Sequence, residues 1–395
     1  MRILITNHGL AARAGTELYV RDLAFGLTAR GHDVICFAPV LGEVAEEIRT
    51  AGIAVTDTLD GMTRPGVIHG QHHNAAVLAY LAFPDVPAVQ VCHGVLPWQE
   101  AALARFPTIR TYTAVDEACR DALVTRDGIP ADRIVRILNG VDFERFADRG
   151  VAHDDPSRQT RALLLSNVAD RALVLPFEQA CRQAGFTLDL AGAKLGRVLE
   201  SPETEFARYG VVFAKGRAAI EALAMGCAVI LADYGRTGGL VTSDRFDDLR
   251  AYNFGLNRIT DEPRRDSIRS WLEAIDWNDA ALVTARIRAE AGFDRVVEAW
   301  EEIYRRLPGL EPVHPVSPDK AMADYLAGIL PQLSERDRLA SELYATVSAG
   351  LARDRDLAND LLASDGADEA RARLALRLDP GSEAARSILD RAKNR

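Results

Sequence analysis

Residues Val211–Asp233 read VVFAKGRAAIEALAMGCAVILAD. Two short apolar runs, VVFA and AVILA, flank a segment of helical period that stops at Gly226. A short run that is apolar throughout is the mark of a strand buried on both faces. Strand, glycine-bearing loop, helix, glycine stop and strand make a β-α-β unit, the building block of a parallel sheet. Two details do not fit a plain core. Lys215 and Arg217 bracket Gly216 where the helix opens, and Glu221 stands among Ala, Ile and Leu.

The same unit recurs on both sides. RILIT is a buried strand, LYVRDLAFGLTARG a helix with a glycine stop, and DVICFAP the next strand. EVAEEIRTAGIAVTD, GVIHGQHH, AAVLAYLAFPDVPAVQVCHG and IRTYTAVDEACRDALVTRDGIPADRIVRI continue the alternation. A complete doubly wound domain is therefore expected over residues 1–145. The polar stretch FERFADRGVAHDDPSRQTR carries no strand pattern and reads as a linker. A second alternating set, from ALLLS to the helices that follow DYGRTGGLV, makes a second domain over 155–291. A helix over 292–307 closes it. PGLEPVHPVSP (308–318), dense in proline, breaks any helix and reads as a further linker. Residues 319–395 are helical and charged.

With 395 residues the chain is too long for one ordinary core and fits about two domains and an extra piece. Its 48% apolar and 26% charged residues place it among globular rather than disordered chains. The formal charge of −10 argues against a general binder of nucleic acid or anionic lipid. The five cysteines, odd in number and without a C-x-x-C spacing, read as small buried hydrophobes in a reducing compartment. MRILITNHGL reads as a strand, its apolar run being too short for a secretion signal. No apolar stretch is long enough to span a membrane. A cytoplasmic location is expected.

Several stretches, in order, carry a resemblance. GTELYVRDLAFGLTARGHDV (15–34), TAVDEACRDAL (113–123), DGIPADRIVRI with NGVD (127–137 and 139–142), IEALAMGCAVILADYGRTGGLV (220–241) and AGFDRVVEAWEEIYRRL (291–307) resemble glycosyltransferase family 4. The resemblance covers about residues 1–307. It implies the GT-B fold: two Rossmann-like domains facing across a cleft, with 292–307 packing back on the first. It also implies transfer of a sugar from a nucleotide-diphosphate-sugar donor to an acceptor (glycan, lipid or small molecule), with retention at the anomeric carbon. No resident cofactor or metal is implied; the nucleotide sugar is a co-substrate. The sequence departs from the family in three ways. Position 213, eight before Glu221, is Phe where the family has an acid. SNVADRALVLPFE holds only Arg171 where the family has an Arg and a Lys. About one β-α unit is absent between LAGA and VVFAKG.

Candidate site residues follow from both sources. Lys215, Gly216 and Arg217 open a helix, where backbone N–H groups and the dipole favour an anion. They are expected to hold the diphosphate, with Lys215 acting in catalysis. The alternatives are solvated surface cations, or an Arg217–Glu221 bridge at i, i+4. A buried carboxylate at Glu221 needs donors; the resemblance makes it the ribose ligand. The resemblance puts Gly15 and Thr16 beside the donor phosphate or the acceptor, while the residues alone allow a turn glycine and a helix N-cap. It also puts His93 beside the transferred sugar as a catalytic group, against a purely structural histidine. His72 and His73, with His69, fit acceptor binding, zinc or plain structure. Gly235, Gly238 and Gly239 are expected in a flexible loop close to the donor sugar. The Asp354–Asp356 DRD mimics an acidic metal motif but reads as a solvated helix face.

EARARLALRLDPGSEAARSILDRA resembles part of a tetratricopeptide repeat, as the second helix of one repeat and the first of the next. A single repeat cannot bury its own face. The tail is thus expected to pack on the enzyme, associate with itself or hold a protein partner; an ordinary helical extension fits equally. Two other functions are compatible with the cleft: a nucleotide-sugar epimerase or hydrolase, and a nucleotide-sugar-binding protein without catalysis.

Overall fold

The computed structural model describes residues 1–147, 155–169, 171–363 and 368–393. Residues 148–154 of the expected linker lie outside them. The chain forms two compact units, Met1–Met322 and Ala323–Arg395.

The first unit begins with β1 (Arg2–Thr6), α1 (Gly15–Ala29), β2 (Asp33–Phe37), α2 (Glu43–Thr50), β3 (Ala54–Thr56) and β4 (Val67–Gln71). Next come α3 (His73–Ala82), β5 (Ala88–Cys92), β6 (Ile109–Ala114), α4 (Glu117–Thr125) and β7 (Ile134–Arg136). These strands form one sheet in the order β3-β2-β1-β4-β5-β6-β7, and every pairing is parallel. β4 and β5 are buried at all positions, as helices on both faces require. The order reverses between β1 and β4, the switch point where ligands of doubly wound sheets bind.

The second sheet is built from α5 (Pro156–Gln159), β8 (Arg161–Leu165), α6 (Arg171–Gln183), β9 (Thr187–Ala191), α7 (Pro202–Glu205) and β10 (Val211–Ala214). It continues with α8 (Gly216–Ala224), β11 (Ala228–Asp233), β12 (Arg236–Leu240), α9 (Phe246–Ala251), α10 (Arg265–Glu273) and α11 (Trp277–Glu290). Its order is β12-β11-β10-β8-β9. All pairs are parallel except β11 with β12. Its switch point lies between β8 and β10. β9 reaches β10 through a connection whose one α-helix, α7, has 4 residues.

The antiparallel edge corrects the sequence reading. Gly238 and Gly239 were expected in a flexible loop; they lie inside β12, and Gly235 lies in the turn before it. Tyr234 and Gly235, at φ 51° and 68°, supply the two left-handed residues that a two-residue hairpin turn requires. At Gly238 a Cβ would come within 2.0 Å of the Arg258 carbonyl oxygen. That glycine is needed for close backbone packing.

α12 (Phe293–Arg306) returns to the first sheet. Trp300 Nε1 donates to Tyr19 Oη at 2.7 Å, and Tyr304 Oη bonds His69 Nδ1 at 2.7 Å. His69 is thereby spent on packing α12. The 308–318 stretch, expected as a linker, is tied to the first sheet. Val313 N donates to Ile109 O at 2.9 Å, and His314 Nε2 lies 2.9 Å from Tyr112 Oη.

In the second unit α13 (Pro318–Ala363) reaches past the unit boundary and leads to α14 (Glu369–Leu378) and α15 (Glu383–Lys393). Ala358, Ala372, Ala375 and Ala385 bury one another there, with Leu362, Leu376 and Ile388 against them.

Candidate functional site

The strand β10 and helix α8 meet at Lys215, the N-cap residue, whose backbone is extended. Gly216 follows at φ 57°, in the left-handed region that glycine enters without penalty. Its N–H is taken by the Phe254 carbonyl at 2.9 Å, so any anion at this helix end must use later N–H groups. Lys215 Nζ lies 3.3 Å from Asp233 Oδ2 and 5.4 Å from the Tyr234 ring centroid. Asp233 also accepts from Ser166 Oγ, at the end of β8. Ser166, Lys215 and Asp233 thus sit together at the switch point of the second sheet.

Arg217 points elsewhere. Its Nε donates to Glu221 Oε1 at 2.6 Å and its Nη2 to Asp22 Oδ2 at 2.5 Å. The i, i+4 bridge weighed from sequence is present, and a second carboxylate completes it. Both acids hold the guanidinium pKa above its ordinary value, against the burial that would lower it. Burial would raise Asp22, yet Arg217 and Arg21 keep it below the usual aspartate range. Arg21 continues the chain of charges to Glu47 at 2.7 Å.

Asp22 lies on α1, which starts beyond the C-terminal end of β1. Arg217 lies on α8, which starts at the C-terminal end of β10. Their ion pair therefore sets the C-terminal ends of the two sheets opposite one another. A second clamp lies nearby. Arg250 donates to Asn139 O at 2.6 Å and to Asn253 Oδ1 at 2.8 Å, and Asn253 Nδ2 donates to Val115 O. On either side of Gly292, Val141 N donates to Ala291 O at 2.8 Å and Phe293 N donates to Val141 O at 2.9 Å. The NGVD stretch is gripped from the second domain.

One turn before Asp22 on α1, Tyr19 packs edge-on against His93, with ring centroids 4.7 Å apart. His93 follows the C-terminus of β5. Its backbone N–H donates to Glu100 Oε2 at 2.8 Å, and its Nε2 is buried without a hydrogen-bond partner. Burial pushes the imidazole down to about 4, with Glu100 opposing and His72 adding. It is neutral at physiological pH. His72, at φ 55°, bonds Glu100 Oε1 through Nε2 at 3.1 Å and accepts from His8 N at Nδ1. Glu100 is buried, which would raise it, but the bond to His72 and the His93 backbone N–H hold it below the usual range. His73 Nε2 lies 3.2 Å from Trp98 O, and burial pushes it to about 4.

Gly15 and Thr16 form the first turn of α1. A Cβ at Gly15 would meet nothing. The N-cap is Ala14 and makes no side-chain capping bond. Thr16 Oγ1 bonds Glu17 instead, so the N-cap alternative for Thr16 fails. Phe213 is fully buried in the core against Phe177, with ring centroids 5.2 Å apart. It belongs to the core that β10 shares with Val174 and Phe177 of α6 and Ile268 and Leu272 of α10. Gly238 and Gly239 lie in the edge strand described above.

Sequence reading missed Asp22, Glu100, Ser166 and Asn253. Asp22, an acid within the buried face of an apolar helix, carried the same signal as Glu221. Asn253 carried none: its role depends on a positive φ of 49°. Among the described residues no three potential ligands group as a metal site, and no helix is long and apolar enough to cross a membrane.

Residues 58–145 match the family profile of Glycosyltransferase Family 4. A glycosyltransferase from Rickettsia africae shares the fold at TM-score 0.58 and 14% identity, over 78% of this chain and 98% of that one. Anabaena HepE, solved in complex with UDP and glucose, does so at 0.57 and 14%, over 77% and 99%.

The chain has the GT-B fold, and its residues 58–145 are similar to Glycosyltransferase Family 4.

Sucrose-phosphate synthase from Thermosynechococcus elongatus has the same GT-B frame at TM-score 0.52 and 14% identity, over 78% of this chain and 99% of that chain. No curated protein matches the sequence. Within the GT-B frame the matched segment runs from the β3–β4 connection to just past NGVD. It includes His72, His73, His93 and Glu100, whereas Lys215, Arg217 and Glu221 lie outside it.

Proposed function

We propose that this protein is a glycosyltransferase that moves a sugar from a nucleotide-diphosphate donor to an acceptor hydroxyl with retention, without a metal. The single observation that supports it best is the pair of features at the cleft. Lys215 caps the N-terminus of α8, and the unpartnered Nε2 of neutral His93 is buried at the end of β5. A cation at a helix N-terminus stabilises a diphosphate as it departs. A neutral imidazole with one unused nitrogen can bond a sugar hydroxyl. In the reaction the anomeric C–O bond to the diphosphate breaks and the acceptor oxygen bonds the same face. The acceptor proton leaves with the diphosphate. The complex of HepE with UDP and glucose supports a nucleotide sugar as the ligand class.

Glu221 holds the donor ribose with its second oxygen, its first being bonded to Arg217. Arg217 then orients Glu221 and clasps the domains, and Lys215 carries the diphosphate. His72 and His73 line the acceptor side, and Gly15 and Thr16 approach the donor phosphate from α1.

Lys215→Ala is expected to lower turnover about 100-fold, the scale of one lost transition-state donor, with an unchanged melting temperature. Near-normal transfer by that variant would sink the proposal. A thermal-shift panel of UDP, GDP, ADP, dTDP and CMP identifies the base. A second reading has its own support: Arg217 and Glu221 already satisfy each other, as in a site that binds without transfer. It predicts stabilisation by a nucleotide with no donor turnover. Release of free or epimerised sugar from labelled donor without acceptor would point instead to a hydrolase or epimerase.

A further inference from the structure

Between Leu333 and Leu357 the helix α13 is exposed around nearly its whole circumference. Leu339, Leu343, Val347 and Leu351 follow at four-residue steps with exposures of 51%, 65%, 51% and 60%, and Tyr344 is 76% exposed. At about 100° per residue they share an arc about 140° wide. Such a stripe on a solvated helix marks a partner surface. The face ends at Ala358, where α14 and α15 cover it.

Charge says which partner. Residues 335–338 read Glu-Arg-Asp-Arg and residues 353–356 read Arg-Asp-Arg-Asp. Each residue of the first block has the opposite charge 18 positions later. Eighteen residues are about five full turns, so each pair shares one helical face. Arg336 and Asp354 fall within the apolar arc itself, Glu335 with Arg353 and Asp337 with Arg355 flank it, and Arg338 with Asp356 lie on the opposite face.

We infer that α13 pairs with α13 of a second copy, antiparallel, about a two-fold axis near Ala345–Thr346. Such an axis lays each flank of one helix along the same flank of the other. Glu335 then meets Arg353 of the second copy, Arg336 meets Asp354 and Asp337 meets Arg355, none out of step by more than one turn, while Arg338 and Asp356 stay on the far face. Each contact is made twice, as an isologous interface requires. Leu343 lies across from Val347, Leu339 from Leu351 and Leu333 from Leu357. Ala340 faces Gly350, letting the helices approach. A parallel in-register pair would set every one of these charges against its own kind, which selects against that orientation. Arg338 now pairs within its helix with Glu335 and Glu342, and Arg355 reaches Asp379 at 4.0 Å. Solvated pairs of this sort contribute little and exchange readily.

The test uses the full chain in sedimentation equilibrium and light scattering at micromolar concentration. A dimer is expected. Arg336→Asp and Asp354→Arg should each weaken it at least tenfold, and the double variant should recover to within about threefold, all with unchanged melting temperature. Under mild oxidation Val347→Cys should cross-link two chains, its copies lying close to the axis. Leu333→Cys should not, since antiparallel copies of it lie about 37 Å apart. A monomer throughout the concentration range, failure of the double variant to recover, or equal cross-linking through Leu333→Cys would overturn the proposal.

Discussion

Lys215 and Arg217 stand two residues apart and do different work. Lys215 faces one carboxylate, Asp233, and keeps part of its side chain in solvent. Arg217 is closed between Asp22 and Glu221. Arg217→Ala would strand two acids of which Glu221 is nearly buried, so a loss of roughly 2–3 kcal/mol is expected. Chemical denaturation checks it, with Lys215→Ala as the neutral control. A loss equal for both would show that Arg217 is no clasp. Phe213 is the opposite case, a residue whose place is pure packing. Phe213→Ala is expected to cost about 3–5 kcal/mol by leaving a cavity. Phe213→Asp, burying an unpaired carboxylate, should abolish stable folding. Soluble, cooperatively melting Phe213→Asp would mean that the position reaches solvent.

At the scale of the element, two pieces hold the site in place. The helix α12 carries Trp300 and Tyr304 into the first domain, where both are fully buried. Trp300→Ala is expected to cost about 3–5 kcal/mol and to release Tyr19, hence His93. Activity measured well below the lowered melting temperature should still fall; activity unchanged there would separate α12 from the site. The β11–β12 hairpin is the second piece. A methyl at Gly238 would strike the Arg258 carbonyl, so Gly238→Ala should lower the melting temperature by several degrees, whereas Gly15→Ala, facing open space, should not.

The whole molecule has a pH response that sums over sites. Burial pushes His73, His93 and His314 down to about 4. In the unfolded chain a histidine titrates near 6.5. Between those values the unfolded state holds more protons, so stability rises with pH and is lost on acidification from about 6.5 to 4. Asp22 and Glu100, held below their usual range, keep their contribution above the ordinary carboxylate values and lose it as pH falls further. The melting temperature should therefore drop steadily from pH 7 to pH 5, and His314→Gln should flatten part of the slope. A flat profile would mean that these rings are solvated in the fold.

Both sheets were legible as apolar runs alternating with helical periods, because a parallel strand buried on two faces must be apolar throughout. The GT-B arrangement was legible in the order of five local motifs. Glu221 and Lys215 were legible as charges where packing alone would want none. The pairings were not. Nothing local distinguishes an Arg217 that binds a ligand from one that reaches Asp22, 195 positions away. Nothing in GRTGG separates a loop from an edge strand until β11 is there to pair with it. Local pattern reports what a residue must bury and how its backbone can turn. Which partner neutralises a charge, and which glycine meets another backbone, depends on distances that exist only once the chain has folded and, for Arg217, once the two domains face each other.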